Sequence, residues 1–231
     1  MEEQMVQAAT DPSFIKSVAM FMSEGGIFMW IIAGVWCFGL AIAIERVKSM
    51  FAYDIDGSSL MNLIKKHVLG NEVQKGIQHC SNSKALLPMV LKSALKRANQ
   101  TKEQIMDAVE ATVLEVVPRI DKRMSYIGLC ANISTLLGLL GTIQGLIESF
   151  AAVAGADPAS KAKLLAMGIS KAMNTTALGL VAAISLMVVH AVLANKSEKI
   201  VAEIEEYSIK LIDLLGTKKN HVRPQEDSEA A

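Results

Sequence analysis

The sequence predicts an all-α membrane protein with three transmembrane helices, of which the second and third extend into a helical cytoplasmic domain. Hydrophobic residues make up 52% of the 231 positions, and charged residues only 20%. The apolar residues are gathered into three runs that are too long for helices of a globular protein. Each run is about as long as a helix must be to cross a bilayer core, or longer. The predicted transmembrane helices cover residues 27–44, 126–154 and 164–194.

The distribution of Lys and Arg predicts the orientation of these helices. Thirteen basic residues lie in the segment 45–125, whereas the N-terminal segment 1–26 has one and the short loop 155–163 has two. Because loops rich in Lys and Arg stay in the cytoplasm, we expect the N-terminus and residues 155–163 on the outer side. The N-terminal segment also lacks the basic start of a cleavable signal, so we expect the first span to be retained.

The segments outside the spans are predicted to be mostly helical. Apolar spacing over Pro12–Met22 predicts a short amphipathic helix at the outer interface. The loop 45–125 is too long to lack structure. Its apolar spacing predicts helices at Ser58–Leu69, Asn71–His79, Leu86–Asn99 and Lys102–Arg123. We expect the last of these to run on into the second span, with a bend at Pro118.

The third span is predicted to continue as a cytoplasmic helix over residues 195–215, because apolar residues keep recurring at helical intervals. Gly216 and the polar composition that follows it predict a disordered tail over residues 216–231.

Each of the last two spans carries one face of small, mildly polar residues spaced three or four apart. In the second span these are Asn132, Thr135, Gly138, Thr142, Gly145 and Ser149, and in the third they are Gly168, Ala172, Thr176, Gly179 and Ala183. Counted from the outer loop, Thr142 and Thr176 both lie about 18 Å along their helices. Their hydroxyls are therefore predicted to be level.

Two interpretations of these faces remain open on spacing alone. In an oligomer, level hydroxyls would form a ring of oxygens suited to a hydrated cation or to a proton-carrying water chain. The alternative is helix packing, because small residues let helices approach closely and a threonine in a span usually bonds to its own preceding turn. The glycines predicted to serve packing are Gly138, Gly141, Gly145 and Gly179. Neither face holds a carboxylate.

Three ionisable residues lie within the two spans. Glu148 and Lys171 are level, roughly 10 Å from the outer ends of their helices, and are candidates for a charge pair at the outer mouth. The alternative is that each extends separately to the interface. His190, near the inner end of the third span, is a candidate proton exit, since an imidazole exchanges protons near neutral pH. An ordinary interfacial histidine is the alternative.

Several classes of function are disfavoured. Cys37, Cys80 and Cys130 lack the spacing of a metal site or a disulfide framework. A net charge of zero argues against a general nucleic-acid surface. No HExxH, GxSxG or phosphate-binding Gly-Lys loop is present, and no acid or histidine is placed for an intramembrane protease. We therefore expect no enzyme, no metal and no cofactor.

At these same residues the chain resembles the MotA/TolQ/ExbB proton channel family, and its TolQ and ExbB branch in particular. The resemblance is carried by GLLGTIQGLIESF from Gly138 to Phe150 and by TALGLVAAI from Thr176 to Ile184. Glu45-Arg46 after the first span supports it. The similar part of the chain covers residues 25–215.

The resemblance implies an ion-channel (stator) subunit of a bacterial inner membrane, with a periplasmic N-terminus and a cytoplasmic C-terminus. Several copies, typically five, would surround a dimeric ExbD-, TolR- or MotB-like single-span partner whose intramembrane aspartate carries the ion. Thr142 and Thr176 match the family threonines that line the path, and Thr175 and Ser149 are further candidates. Ion flow would drive mechanical work on an envelope, transport or motility apparatus.

The departures from the family pattern concern charge and helix shape. Lys171 stands where the family often has a glutamate, and Glu148 replaces a neutral residue, which suggests that the outer charge has been relocated. Thr135, Gln144 and Ser185 stand where the family has proline, tryptophan and proline.

The identity of the ion stays open at this point. Thr175-Thr176 is similar to the double threonine of sodium-driven stators, where a second hydroxyl adds an oxygen ligand for Na⁺. Similarity to the TolQ and ExbB branch favours H⁺, and a sodium-driven stator is the alternative. A non-conducting helical membrane scaffold is the alternative from another class of function.

Overall fold

The computed structural model describes Lys16 and residues 19–23, 25–83 and 85–229. From Ile27 onward its helices are α1 (Ile27–Tyr53), α2 (Gly57–Leu69), α3 (Val73–Ser81), α4 (Leu86–Lys96), α5 (Lys102–Asp121), α6 (Met124–Ala154) and α7 (Pro158–Glu229). The described residues contain no strand, and three helical segments among them are long and apolar enough to cross a membrane. The prediction of an all-α membrane protein with three spans is therefore confirmed.

The chain forms two compact units. The membrane unit contains Met1–Ile44 and Ser125–Ala191, and the polar unit contains Glu45–Met124 and Val192–Ala231. Of the predicted interfacial helix at Pro12–Met22, Lys16 and residues 19–22 are described and are helical. The rest of that helix lies outside the described residues.

In the membrane unit, α1 packs against both α6 and α7. The indole Nε1 of Trp36 donates a hydrogen bond of 2.8 Å to the hydroxyl of Ser185 on α7. A Cβ atom built on Gly39 would lie 2.8 Å from the side chain of Leu186 and 3.2 Å from that of Cys130. The absence of a side chain at Gly39 is therefore what lets the first span approach the other two.

In the polar unit, α2 and α5 begin with side-chain caps, whereas α3 and α4 do not. The carboxylate of Asp56 accepts hydrogen bonds from the backbone N–H groups of Ser58 and Ser59 at the start of α2. Hydrogen bonds from Ser59 and Ser58 lower the pKa of Asp56 to about 2. α5 starts with a capping box formed by Thr101 and Gln104. The apolar faces of α2, α4 and α5 are buried at Ile64, Val68, Val90, Leu91, Leu95 and Ile105.

The expected continuous helix from Lys102 into the second span is wrong. Pro118 lies inside α5, and the break comes after it, where Arg123 has a φ of 64°. This left-handed conformation cannot continue a right-handed helix. The buried guanidinium of Arg46 donates to the carbonyl oxygen of Ile120, an acceptor in the last turn of α5 that has no partner within the helix.

Both ends of α7 differ from the sequence-based boundaries. The helix begins at Pro158 rather than at residue 164, because proline is well suited to the first position of a helix. It continues to Glu229, so the predicted end at residue 215 is wrong and residues 216–229 of the predicted disordered tail are helical, while residues 230–231 lie outside the described residues. A glycine ends a helix when it turns left-handed, and Gly26 is the only described glycine with a positive φ.

Candidate functional site

The helices α6 and α7 form an antiparallel hairpin whose two backbones meet along a line of small residues. A Cβ atom built on Gly138 would lie 3.3 Å from the Cα atoms of both Gly179 and Thr176. A Cβ atom on Gly179 would lie only 2.7 Å from the carbonyl oxygen of Ser134. Since these neighbours are backbone atoms, even alanine would force the helices apart.

The same contact continues toward the loop that joins α6 to α7. A Cβ atom on Gly141 would lie 2.7 Å from the hydroxyl of Thr175, and one on Gly145 would lie 2.9 Å from the Cβ of Ala172. One turn further along, Gly168 has no room for a side chain because Ser149 lies against it. All four glycines predicted to serve packing thus lie in this contact. Ser134 also lies in it, although the sequence analysis did not single it out.

Thr175 and Ser149 are buried in this contact between α6 and α7. Their relative exposures are 1% and 3%, and their hydroxyls donate to the carbonyl oxygens of Ala172 and Gly145 in their own helices. Neither hydroxyl faces outward from the hairpin. Of the four predicted path residues, these two are therefore buried between the helices.

Thr142 and Thr176 are level, as their positions in sequence predict. Because Gly138 opposes Gly179 and Gly145 opposes Ala172, the register places Thr142 opposite position 175, one residue or about 1.5 Å from Thr176. The hydroxyl of Thr142 donates to Leu139 O at 2.6 Å, and that of Thr176 donates across the hairpin to Gly138 O at 2.9 Å. Both side chains are half-buried. Their oxygens keep lone pairs for further ligands.

Both threonines lie on the same flank of the hairpin. Successive residues of a helix are about 100° apart, which places each threonine about 60 to 70° around its helix from the line of small residues. Because the two helices are antiparallel, the same rotation on each brings both threonines to the same side of the hairpin. We call the side marked by Thr142 and Thr176 the threonine flank. Among the described residues, the contacts that α1 makes with Ser185, Leu186 and Cys130 lie on the line of small residues or on the side of it away from the threonines. α1 therefore does not cover the threonine flank.

Glu148 and Lys171 lie on the other side of the hairpin, the charged flank. The ammonium of Lys171 donates to a carboxylate oxygen of Glu148 at 2.6 Å, and the amide of Gln144 donates to the other oxygen at 3.1 Å. A Cβ atom built on Gly26 would lie 3.0 Å from Cε of Lys171. The predicted charge pair therefore forms, but it lies beside the turn that precedes α1 and not beside the threonines.

His190 lies at the end of the hairpin away from the loop that joins α6 to α7. Its Nε2 atom would be 3.8 Å from a Cβ atom built on Gly128, so the imidazole lies beside α6 with room for a methyl group between them. The side chain is half-buried. Among the described residues, no group of three or more His, Cys, Asp or Glu side chains could hold a metal ion.

The hydrogen bond from Trp36 to Ser185 was not predicted from the sequence. The signal was present, because a tryptophan in an apolar run carries an N–H group that needs an acceptor. Only three-dimensional packing shows that this acceptor is the serine that replaces the usual proline.

Comparison with known proteins identifies the family of this chain. Residues 69–206 match the sequence model of the MotA/TolQ/ExbB proton channel family. The biopolymer transport protein ExbB of Pseudomonas putida is 25% identical over 207 residues, which cover 90% of this chain and 61% of that protein. A Methanothermobacter thermautotrophicus protein named as an ExbB homolog is 22% identical over 84% of this chain and 68% of its own length. The Tol-Pal system protein TolQ of Haemophilus influenzae is 33% identical over 34% of each chain.

Proposed function

Because the chain belongs to the MotA/TolQ/ExbB proton channel family, we propose that it is the channel subunit of a stator complex in which Thr142 and Thr176 line the ion path. The observation that carries this proposal is the position of the two hydroxyls. They are level, half-buried and on the flank of the hairpin that α1 leaves uncovered. Copies of the chain arranged with this flank inward would place a ring of oxygens around a central space.

The titrating group is proposed to come from another protein. The threonine flank offers hydroxyls but no carboxylate within the described membrane unit, and Glu148 is engaged by Lys171 on the opposite flank. A dimeric ExbD-, TolR- or MotB-like partner with a single span and an intramembrane aspartate would supply the missing acid. We propose about five copies of this chain around that partner, in a bacterial inner membrane with the N-terminus in the periplasm. In this arrangement ion flow, and no enzymatic reaction, drives work on an envelope, transport or motility apparatus.

Burial of Thr175 supports H⁺ over Na⁺ as the ion. An extra ligand for Na⁺ must face the path, whereas the Thr175 hydroxyl is bonded to Ala172 O and packed against Gly141. The ion is tested by activity in sodium-free medium and with a protonophore. Activity that survives sodium removal but is lost with the protonophore supports H⁺, and the reverse pattern supports Na⁺.

The test of the path compares two adjacent threonines. Thr176→Val removes a path hydroxyl and should lower ion flux in proteoliposomes by on the order of tenfold or more, about 1.4 kcal/mol in barrier height. Thr175→Val is the matched control, because it removes a sealed hydroxyl and keeps nearly the same shape. Its flux should be unchanged. Both variants are checked for assembly by size-exclusion chromatography with their copurified partner.

A specific observation also favours the rival function, a non-conducting scaffold. Both Thr142 and Thr176 already donate to backbone carbonyl oxygens, as packing threonines do. If Thr142→Val and Thr176→Val both assemble and retain full activity, the scaffold is correct and the path is not.

A further inference from the structure

We infer that the ion path continues from the level of Thr142 and Thr176 to the inner end of the membrane unit along Thr135, Asn132 and His190. This inference rests on the proposed function, which assigns only the level of the two threonines. It adds three side chains whose role the family match does not assign. The ligand is a chain of water molecules that carries a proton, or a small hydrated monovalent cation.

The first argument is the heptad spacing along both helices. Thr135 and Gly128 lie seven and fourteen residues before Thr142, and His190 lies fourteen residues after Thr176. Seven residues make nearly two helical turns, so residues seven apart lie on nearly the same face and drift around the helix by only about 20°. Both lines therefore run down the threonine flank for about 21 Å, and they end at the same depth.

The contact between His190 and Gly128 supports this register independently. The sequence positions relative to the two threonines place Gly128 and His190 at the same depth, and the imidazole lies beside Gly128. A Cβ atom at position 128 would make only an ordinary van der Waals contact with the ring, so the imidazole lies beside α6 at the inner end of the flank. A histidine here can accept and donate hydrogen bonds at the point where the path leaves the hairpin.

On α6, two of the residues between the two ends, Asn132 and Thr135, are polar where lipid-facing residues would be apolar. Asn132 lies one turn above Gly128, and both Asn132 and Thr135 are exposed in the protomer. The hydroxyl of Thr135 donates to Ala131 O at 3.3 Å, which leaves its oxygen free to accept from water. An exposed amide is costly in hydrocarbon but favourable beside water or a polar neighbour. Along α6, each of Gly128, Asn132, Thr135 and Thr142 lies about 5 to 10 Å from the next. One or two water molecules bridge each of these distances.

The flank opposite supplies a matched control. Leu140 is as far from the line of small residues as Asn132 is, and it is 47% exposed, but it is turned toward the side of Glu148. Charged thiol reagents act on the thiolate, which forms readily only in contact with water. If the path is hydrated, a cysteine on the threonine flank should react faster than a cysteine at position 140. Cysteines should therefore react at positions 132 and 135 and be protected at position 140.

The experiment uses the full-length chain in membrane vesicles, with Cys37, Cys80 and Cys130 replaced by alanine. Asn132→Cys, Thr135→Cys and Leu140→Cys are each treated with a small cationic thiosulfonate. We expect the first two to react at least about tenfold faster than the third, and their modification to block ion flux. Asn132→Leu, Thr135→Val and His190→Leu should also lower flux in proteoliposomes without loss of assembly.

The outcomes separate this inference from the proposed function. If Thr176→Val abolishes flux while positions 132 and 135 react no faster than 140 and the three substitutions conduct normally, the inner path is wrong and the proposed function stands. If Thr142→Val and Thr176→Val both assemble and conduct normally, the proposed function fails and this inference fails with it. Fast reaction at 132 and 135 together with reduced flux supports both.

Discussion

The two flanks of the α6–α7 hairpin carry different polar chemistry at neighbouring depths. On the threonine flank, the hydroxyls of Thr142 and Thr176 donate to backbone oxygens and keep acceptor sites for other ligands. On the charged flank, Glu148 and Lys171 satisfy each other, and the turn at Gly26 lies against the lysine. One flank thus retains hydrogen-bonding capacity, while the other uses its charges within the chain.

This difference teaches that polar residues in the same two helices need not serve the same purpose. All four side chains mentioned above lie in spans, and sequence depth alone would group them as lining one channel. The line of small residues separates them, because it fixes which sides of α6 and α7 meet. A pair of opposite charges that remains on the α1 side can stabilise the packing of the first span without contacting the ion.

The largest effect is expected where the two flanks are joined. Gly179→Ala should weaken the hairpin by about 1 to 3 kcal/mol, because its Cβ atom would lie 2.7 Å from Ser134 O and 2.9 Å from Gly138 Cα. The measurement is the melting temperature of the assembled complex. Gly34→Ala is the matched control, since a Cβ atom there has no neighbour within 4 Å and alanine favours the helix. Equal melting temperatures for the two variants would contradict the close contact.

An intermediate effect is expected on the charged flank. Glu148→Lys or Lys171→Glu alone places two like charges side by side and should destabilise the complex by about 1 kcal/mol, because both side chains are partly exposed. The double exchange restores opposite charges and should recover most of the loss. Melting temperatures of the four proteins give the coupling.

The charge exchange also tests the division between the flanks. If the pair only supports packing, the doubly exchanged protein should conduct ions at the parental rate. A restored melting temperature with a lasting loss of flux would place the pair on the ion path and would contradict the separation of the flanks. Absence of any rescue in the double variant would count against the pair itself.

Much of the fold was predictable because it depends on local periodicity. The three spans, the amphipathic helices of the polar unit and the level of Thr142 and Thr176 all follow from spacing along single helices. The break before Met124 was not predictable from the helix pattern, because it depends on the left-handed conformation of Arg123, a residue without special preference for it. Pro118 was the stronger local signal and proved misleading.

The candidate site was predictable in depth and, for the two charges, in direction, because each charge is offset from its threonine by about 120 to 140° around the helix. The direction of Thr175 was not predictable. Sequence placed Thr175 beside Thr176 as a possible ligand, and it placed Glu148 and Lys171 at a common depth. Which neighbour faces outward depends on the crossing of two helices, and a difference of one residue turns a side chain by about 100°. Thr175 is consequently buried against Gly141, and Thr176 reaches the flank.

The smallest effect is expected where α1 meets the hairpin. Trp36→Phe removes the indole N–H that donates to Ser185 and should lower stability by about 0.6 kcal/mol, the average for hydrogen bonds between membrane helices. Trp30→Phe is the control, because Trp30 is 64% exposed and the same change there should leave the melting temperature unaltered. Because Ser185 lies away from the threonine flank, ion flux should stay at the parental level in both variants. A marked loss of flux in Trp36→Phe alone would mean that the first span influences the path, and the two flanks could then no longer be treated as independent.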